Sequence, residues 1–181
     1  MRRFIITGAP GAGKTAIIRQ LELDEYGVVE EAATDVIAAA QARGTIELWT
    51  EPSFIDAVAN LQRRRLIRAS SQPDAVQFHD RPIVCTAALA QYLEYPFSPV
   101  LVSELERIGN ETTYESRVFL VRNLGFITAI PARRISFEKT LRFERIHEET
   151  YRRLDFELVS IEPGPLLKRV QTIKAAIGST C

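Results

Sequence analysis

Short apolar runs alternate with longer amphipathic stretches from one end of the chain to the other. Phe4-Ile5-Ile6-Thr7 reads as a buried strand, and the spacing after it predicts a helix from about Lys14 to Leu21. Tyr26 to Glu30 reads as a second strand. Ala32 to Arg43 follows as an Ala-rich helix closed by Gly44 at its C′ position. Trp49 to Pro52 is a loop, and Ser53 is placed to cap a helix through about Ala69, with Phe54, Val58, Leu61 and Leu66 as its apolar stripe. Ala75 to Asp80 reads as a third strand. Gln77 and His79 break its apolar run, which predicts less burial than a central parallel strand usually has. Pro82 stands at the first helical position of a helix to about Leu93, and Ser98-Pro99 opens another that ends near Gly109. Arg117 to Val121 is the fourth strand, Ser136 to Leu154 a long charged helix, Phe156 to Ile161 the fifth strand and Pro165 to Ile177 the closing helix. Strands separated by helices pair in parallel through right-handed crossovers, so the pattern predicts an α/β fold with ligands at the carboxyl ends of its strands.

Chemistry appears first at the end of the opening strand. Residues 8–15 spell Gly-Ala-Pro-Gly-Ala-Gly-Lys-Thr, the pattern G-x-x-x-x-G-K-T between a strand and a helix. The glycines let backbone N–H groups turn inward around anionic oxygens, and the following helix aims its positive dipole end at the same point. The expected phosphate cradle is Gly8, Ala9, Pro10, Gly11, Ala12, Gly13, Lys14, Thr15 and Ala16, with Lys14 on the β- and γ-phosphates and Thr15 on Mg²⁺. A merely structural Gly-rich turn is the alternative; the flanking strand and amphipathic helix argue against it. The expected ligand is a nucleoside triphosphate, ATP or GTP.

Asp80-Arg81 ends the third strand, so both side chains project toward the cradle if that strand neighbours the first. A carboxylate there anchors Mg²⁺ through water or takes the proton of an attacking hydroxyl, and Arg81 offers a planar fork to phosphate oxygens. The bland reading is a helix-capping Asp beside a surface Arg. Glu30-Glu31, at the tip of the second strand, either binds the hydroxyls of an acceptor through Glu31 or supports the first turn of the next helix. Arg133-Arg134 precedes the charged helix, which carries Lys139, Arg142 and Arg145. Segments of this kind close over a transferring phosphoryl group, so residues 123–145 read as lid-like, with Arg134 and Arg142 as substrate contacts. Interspersed Glu138, Glu144, Glu148 and Glu149 favour a solvated face for most of those basic residues, and Arg63-Arg64-Arg65 reads the same way.

Bulk properties narrow the classes. Lys plus Arg and Asp plus Glu both total 23, so no basic excess points to nucleic acid or a membrane surface. No stretch approaches the roughly 20 apolar residues of a membrane helix. Only Cys85 and Cys181 are present, which points to a reducing, cytoplasmic setting. The 181 residues fit a single domain.

Together the P-loop, Glu30-Glu31-Ala32-Ala33, Phe78-His79-Asp80-Arg81 and the stretches Ile146-His147 and Tyr151-Arg152-Arg153-Leu154-Asp155-Phe156-Glu157-Leu158 carry a resemblance over nearly the whole length. The chain resembles the small single-domain ATPases labelled AAA, relatives of the ribosylnicotinamide-kinase domain and, more distantly, of thymidylate and deoxynucleoside kinases. That resemblance implies a three-layer P-loop fold with a five-stranded parallel sheet in the order 2-3-1-4-5. It also implies Asp80 as base or Mg²⁺ anchor and Arg81 as phosphate clamp, an Arg-bearing lid over about residues 133–145, and an adenine site near Glu162-Pro163-Gly164. A small-molecule kinase acting on a nucleoside, nucleotide or similar acceptor is the leading expectation, with a nucleotide-dependent switch acting on a protein partner as the alternative. The N-K-x-D motif of Ras-like GTPases and the paired acids of motor ATPases are both missing.

Overall fold

A computed structural model describes residues 1–124 and 137–178. Within it β1 (Arg2–Thr7), β2 (Gly27–Val29), β3 (Val76–Asp80), β4 (Arg117–Val121) and β5 (Glu157–Ile161) form one sheet in the order β2-β3-β1-β4-β5. Every pairing is parallel. The intervening helices are α1 (Lys14–Leu23), α2 (Ala33–Ala42), α3 (Ser53–Ser70), α4 (Ile83–Tyr92), α5 (Pro99–Asn110), α6 (Phe137–Arg153) and α7 (Leu166–Gly178). The topology is that of a P-loop NTPase. Arg134, together with Arg133 and Ser136, lies outside the described residues, as does most of the segment read as a lid.

Alternation along the strands sorts the helices into two layers. Phe4 and Ile6 of β1, Phe78 of β3 and Phe119 and Val121 of β4 pack against Ile17, Ile18 and Leu21 of α1 and Val170 and Ile173 of α7. Ile5 and Val118 face the other way, against α3, α4 and α5 and Tyr151 of α6. Gln77 and His79 belong to that second face and are fully buried, so the expectation of a poorly buried third strand is corrected. Their polar atoms are only partly partnered there, since Gln77 Oε1 and His79 Nε2 have no hydrogen-bond partner among the described residues. Gln77 donates from Nε2 to the Ala69 carbonyl at 2.7 Å, supporting the end of α3. His79 packs edge-on against Tyr114 at 5.1 Å, and burial lowers its pKa to about 3, so its ring is neutral.

Helix ends follow their sequence signals unevenly. The Ser98 hydroxyl accepts from Leu101 N–H at 3.1 Å, a true N-cap followed by Pro99. Gly44 has φ of +92° at the C′ position of α2, with Thr45 N–H returning to the Ala40 carbonyl. Ser53 does not cap: Pro52 occupies that position and the Ser53 hydroxyl turns to Glu51. Pro82 is the N-cap of α4 rather than its first helical residue. The stretch read as a plain loop before α3 includes a 3₁₀ turn over Leu48–Thr50.

Candidate functional site

The loop between β1 and α1 sits where three structural demands meet. Gly8 has φ of +136°, and a Cβ there would run into the Val121 carbonyl at the end of β4. Gly11 and Gly13 hold φ of +84° and +83°. Gly13 is the N-cap of α1, and the helix carries no side-chain cap. Its first N–H groups are therefore left to a ligand, and an anion fits them.

Lys14 does not reach outward. Its ammonium is buried and donates to the Gly8 and Ala9 carbonyls at 2.9 and 2.8 Å. Burial, with Arg81 nearby, lowers its pKa to about 7, partly offset by Asp80. A negatively charged ligand reverses that balance, because it supplies the counter-charge that the burial removed. Thr15 is exposed one residue on, with its hydroxyl on the first turn of α1.

Asp80 and Arg81 arrive beside the P-loop because β3 is the direct neighbour of β1, with Asp80 in register with Ile6. The Arg81 N–H donates to the Ile6 carbonyl at 3.1 Å, prolonging the ladder by one residue. Its guanidinium donates from Nη2 to the Gly8 carbonyl at 2.7 Å and lies 5.8 Å from the Phe143 ring of α6. Asp80 keeps one buried carboxylate oxygen, Oδ1, without a protein partner. Burial raises its pKa above the usual aspartate value, while Lys14 and Arg81 pull it back. Lys14, Asp80 and Arg81 thus form one electrostatically linked group at the mouth of the P-loop.

Other sequence candidates are placed differently. Both carboxylate oxygens of Glu31 accept backbone N–H groups, from Ala33 and Thr34 at 3.1 Å each, so the side chain closes the start of α2. Its charge still acts on Lys14 and Asp80. Arg142 is exposed and donates to Glu94 at 3.0 Å, beside Tyr92 at the C-terminal end of α4, whereas Arg81 precedes the other end of that helix.

Several site residues escaped the sequence reading. Arg169 of α7 is buried and donates to the Ala12 carbonyl at 2.9 Å, bracing the P-loop from behind. Its position on an otherwise apolar stripe with Leu166, Val170 and Ile173 was a usable signal. Thr7, Cys85 and Tyr151 form a buried polar chain with 3.1 Å at each link, directly behind the cradle. His147 is buried, bonded to the Phe143 carbonyl at 2.9 Å, and held neutral by burial and by Arg81. Arg65, read as solvated, donates to the Glu30 and Glu31 carbonyls and pairs with Asp35, fastening the tip of β2.

Residues 3–169 match the model of a family described as an AAA domain. The chain belongs to that family. A comparison with curated proteins finds no match. Among solved structures, this AAA-domain chain is similar to deoxyadenosine kinase from M. mycoides with products dCMP and dCDP bound, at 13% identity and a TM-score of 0.66, covering 98% of this chain and 99% of that one. The same enzyme with bound dATP aligns at 14% identity and a TM-score of 0.65, covering 99% and 100%. NadR in complex with NR aligns at 18% identity and a TM-score of 0.65 over 99% of this chain but 51% of NadR, so the AAA-domain chain spans about half of that protein. These likenesses show a nucleoside-kinase-like fold, and the chemistry rests on the residues of the site.

Proposed function

We propose that this protein is a small-molecule kinase that transfers the γ-phosphoryl group of ATP to a nucleoside, nucleotide or similar hydroxyl-bearing acceptor. The observation that carries the reading is the convergence of Lys14 and Arg81 on the Gly8 carbonyl, with Asp80 electrostatically linked to both and one of its carboxylate oxygens unpartnered. The P-loop N–H groups and Lys14 would hold the β- and γ-phosphates, and Arg81 would turn its fork from the Gly8 carbonyl to the transferring group. Asp80 would accept the acceptor's proton or orient the hydroxyl, a role suited to a carboxylate whose pKa burial has raised.

Mg²⁺ fits this donor set. No cluster of three or more His, Cys, Asp or Glu side chains that could hold a metal occurs among the described residues, and Mg²⁺ in kinases characteristically takes one or two protein ligands plus phosphate oxygens and water. Thr15 and Asp80 would supply those ligands, and the ion when bound would neutralise charge on the β- and γ-oxygens. Arg134, outside the described residues, and Arg142 remain proposed contributors to closure over the phosphates. Residues 1–181 are proposed to act as one domain in the cytoplasm; no described helix is long and apolar enough to cross a membrane.

Incubation with ATP·Mg²⁺ and a panel of nucleosides, nucleotides and sugars tests the reading. The expected result is a phosphorylated product whose formation Lys14→Ala abolishes. ATP hydrolysis with no phosphorylated product from any acceptor, together with nucleotide-dependent capture of a protein, would instead favour a switch.

A further inference from the structure

Arg81 is the one non-glycine residue at the site with a left-handed backbone, at φ of +51°. The other non-glycine residues with positive φ, Glu25, Glu94, Thr112 and Asp155, stand just past the ends of α1, α4, α5 and α6, where such a conformation closes a helix. Arg81 closes no helix. A long side chain held in this region carries strain of about 1–2 kcal/mol and persists only where its surroundings impose it.

The constraint comes from α3. Gln62 donates from Nε2 to the Arg81 carbonyl at 2.7 Å. Its Oε1 accepts from the buried Thr86 hydroxyl of α4 at 2.8 Å. The amide has a single workable orientation, because a backbone carbonyl only accepts and its nitrogen only donates. One turn further along α3, Arg65 donates to the Glu30 and Glu31 carbonyls. The same face of one helix therefore fastens the tips of both β2 and β3.

We propose that Gln62 is a positioning residue: it clamps Arg81 in its left-handed conformation and so aims the guanidinium at the P-loop. Four contacts then fix Arg81. Its N–H is held by Ile6, its carbonyl by Gln62, its Nη2 by Gly8 and its guanidinium face by Phe143. Without the Gln62 donor, the peptide after Arg81 is free to rotate out of the strained region and carry the side chain off the cradle. Gln62 itself touches no phosphate; it acts through Arg81. The role of Arg81 toward nucleotide rests on the kinase reading above, whereas the clamp is a property of the backbone.

The experiment measures Mg·AMP-PNP affinity by calorimetry for the wild-type chain, Gln62→Met, Gln62→Glu, Thr86→Val, Arg81→Ala and the Gln62→Met/Arg81→Ala pair. It also reads the Arg81 backbone conformation from its ¹³Cα and ¹³Cβ chemical shifts without nucleotide. Gln62→Met and Gln62→Glu are expected to weaken binding on the order of tenfold, the scale of one lost hydrogen bond to a charged group's support. Thr86→Val, which leaves Gln62 in place but frees its amide, is expected to lose less. In the Arg81→Ala background the Gln62 substitution is expected to change nothing further, and in Gln62→Met alone the Arg81 shifts should leave their left-handed values. Wild-type affinity in Gln62→Glu, or full additivity in the pair, overturns the proposal. A left-handed Arg81 retained in Gln62→Met overturns the clamp whatever the nucleotide does. If the shifts move as expected but neither wild type nor Arg81→Ala binds nucleotide, the clamp stands and the kinase reading falls.

Discussion

Asp80 shows how a single residue can serve the site at the expense of the fold. Its pKa is raised chiefly by burial, so the folded chain resists its ionisation more than the unfolded chain does. Such a group stabilises the fold while it is protonated, and that contribution is lost as pH rises through the folded pKa. Asp80→Asn keeps the shape and removes the charge. The variant is therefore expected to unfold at a higher temperature than wild type at neutral pH, with the difference shrinking below about pH 4, where the unfolded aspartate is itself protonated. Phosphoryl transfer should fall roughly 10²–10⁴-fold, the range for losing a positioned acid or base. Thermal melts across pH alongside a product assay check both halves. A variant no more stable than wild type would mean that Lys14 and Arg81 outweigh the burial. At this scale Lys14 and Thr15 were legible from the glycine pattern that follows β1, and Asp80 and Arg81 from their place at the end of β3. Gln62 and Arg169 were not, since neither a lone glutamine nor a lone arginine inside a helix announces which carbonyl it will meet.

At the scale of elements, five C-terminal or loop positions decide how neatly helices stop. Gly44 closes α2 with the residue that geometry favours, but α5 is closed by Thr112 at φ of +48°. Thr113 N–H returns to the Ile108 carbonyl at 3.0 Å and Thr112 N–H to Gly109 at 3.2 Å, so the backbone motif is complete and the β-branched residue sits in it under strain. Thr112 is exposed and makes no described side-chain contact that offsets this. Thr112→Gly is expected to stabilise the chain by up to about 1 kcal/mol, the relieved strain less the added freedom of the unfolded glycine, read as a shift of the urea midpoint with unchanged slope. The same scale explains the misread third strand. Gln77 and His79 alternate with Phe78, and period-two alternation signals a half-exposed strand unless the second face is covered by polar-compatible partners. Here the Ala69 carbonyl takes the Gln77 amide and the Tyr114 ring packs edge-on against His79.

Across the whole molecule, β4, β5 and α6 are tied together by charged side chains. Arg122, directly after β4, donates to Ser160 of β5 at 3.1 Å and to Glu144 of α6 at 3.0 Å, and also pairs with Glu148. Glu144 is only 8% exposed, and Arg122 is the cation paired with it there. Arg122→Met is expected to destabilise the fold by about 1–3 kcal/mol, less than for a fully buried pair because Arg122 is partly exposed, whereas Arg142→Met at the exposed Glu94 pair should cost about 1 kcal/mol or less. Chemical denaturation of the two variants makes the comparison; equal losses would mean the Glu144 site is effectively wet. The charges interspersed along α6 surround an inner face formed by Thr140, Phe143, His147 and Tyr151. It is buried because α4 offers a matching face, including the Cys85 thiol that meets Tyr151.

The order of strands and helices, the cradle at Gly8 to Thr15 and the carboxylate at Asp80 were fixed locally. Apolar periodicity, glycine spacing and strand-end position are properties of neighbours in the chain, and they survive without knowledge of the fold. The partners of Gln62, Arg65, Arg122 and Arg169 were decided only in three dimensions. Each is a polar side chain whose role depends on a backbone carbonyl, a hydroxyl or a charge on another element, and that pairing exists only once the strands and helices have packed together.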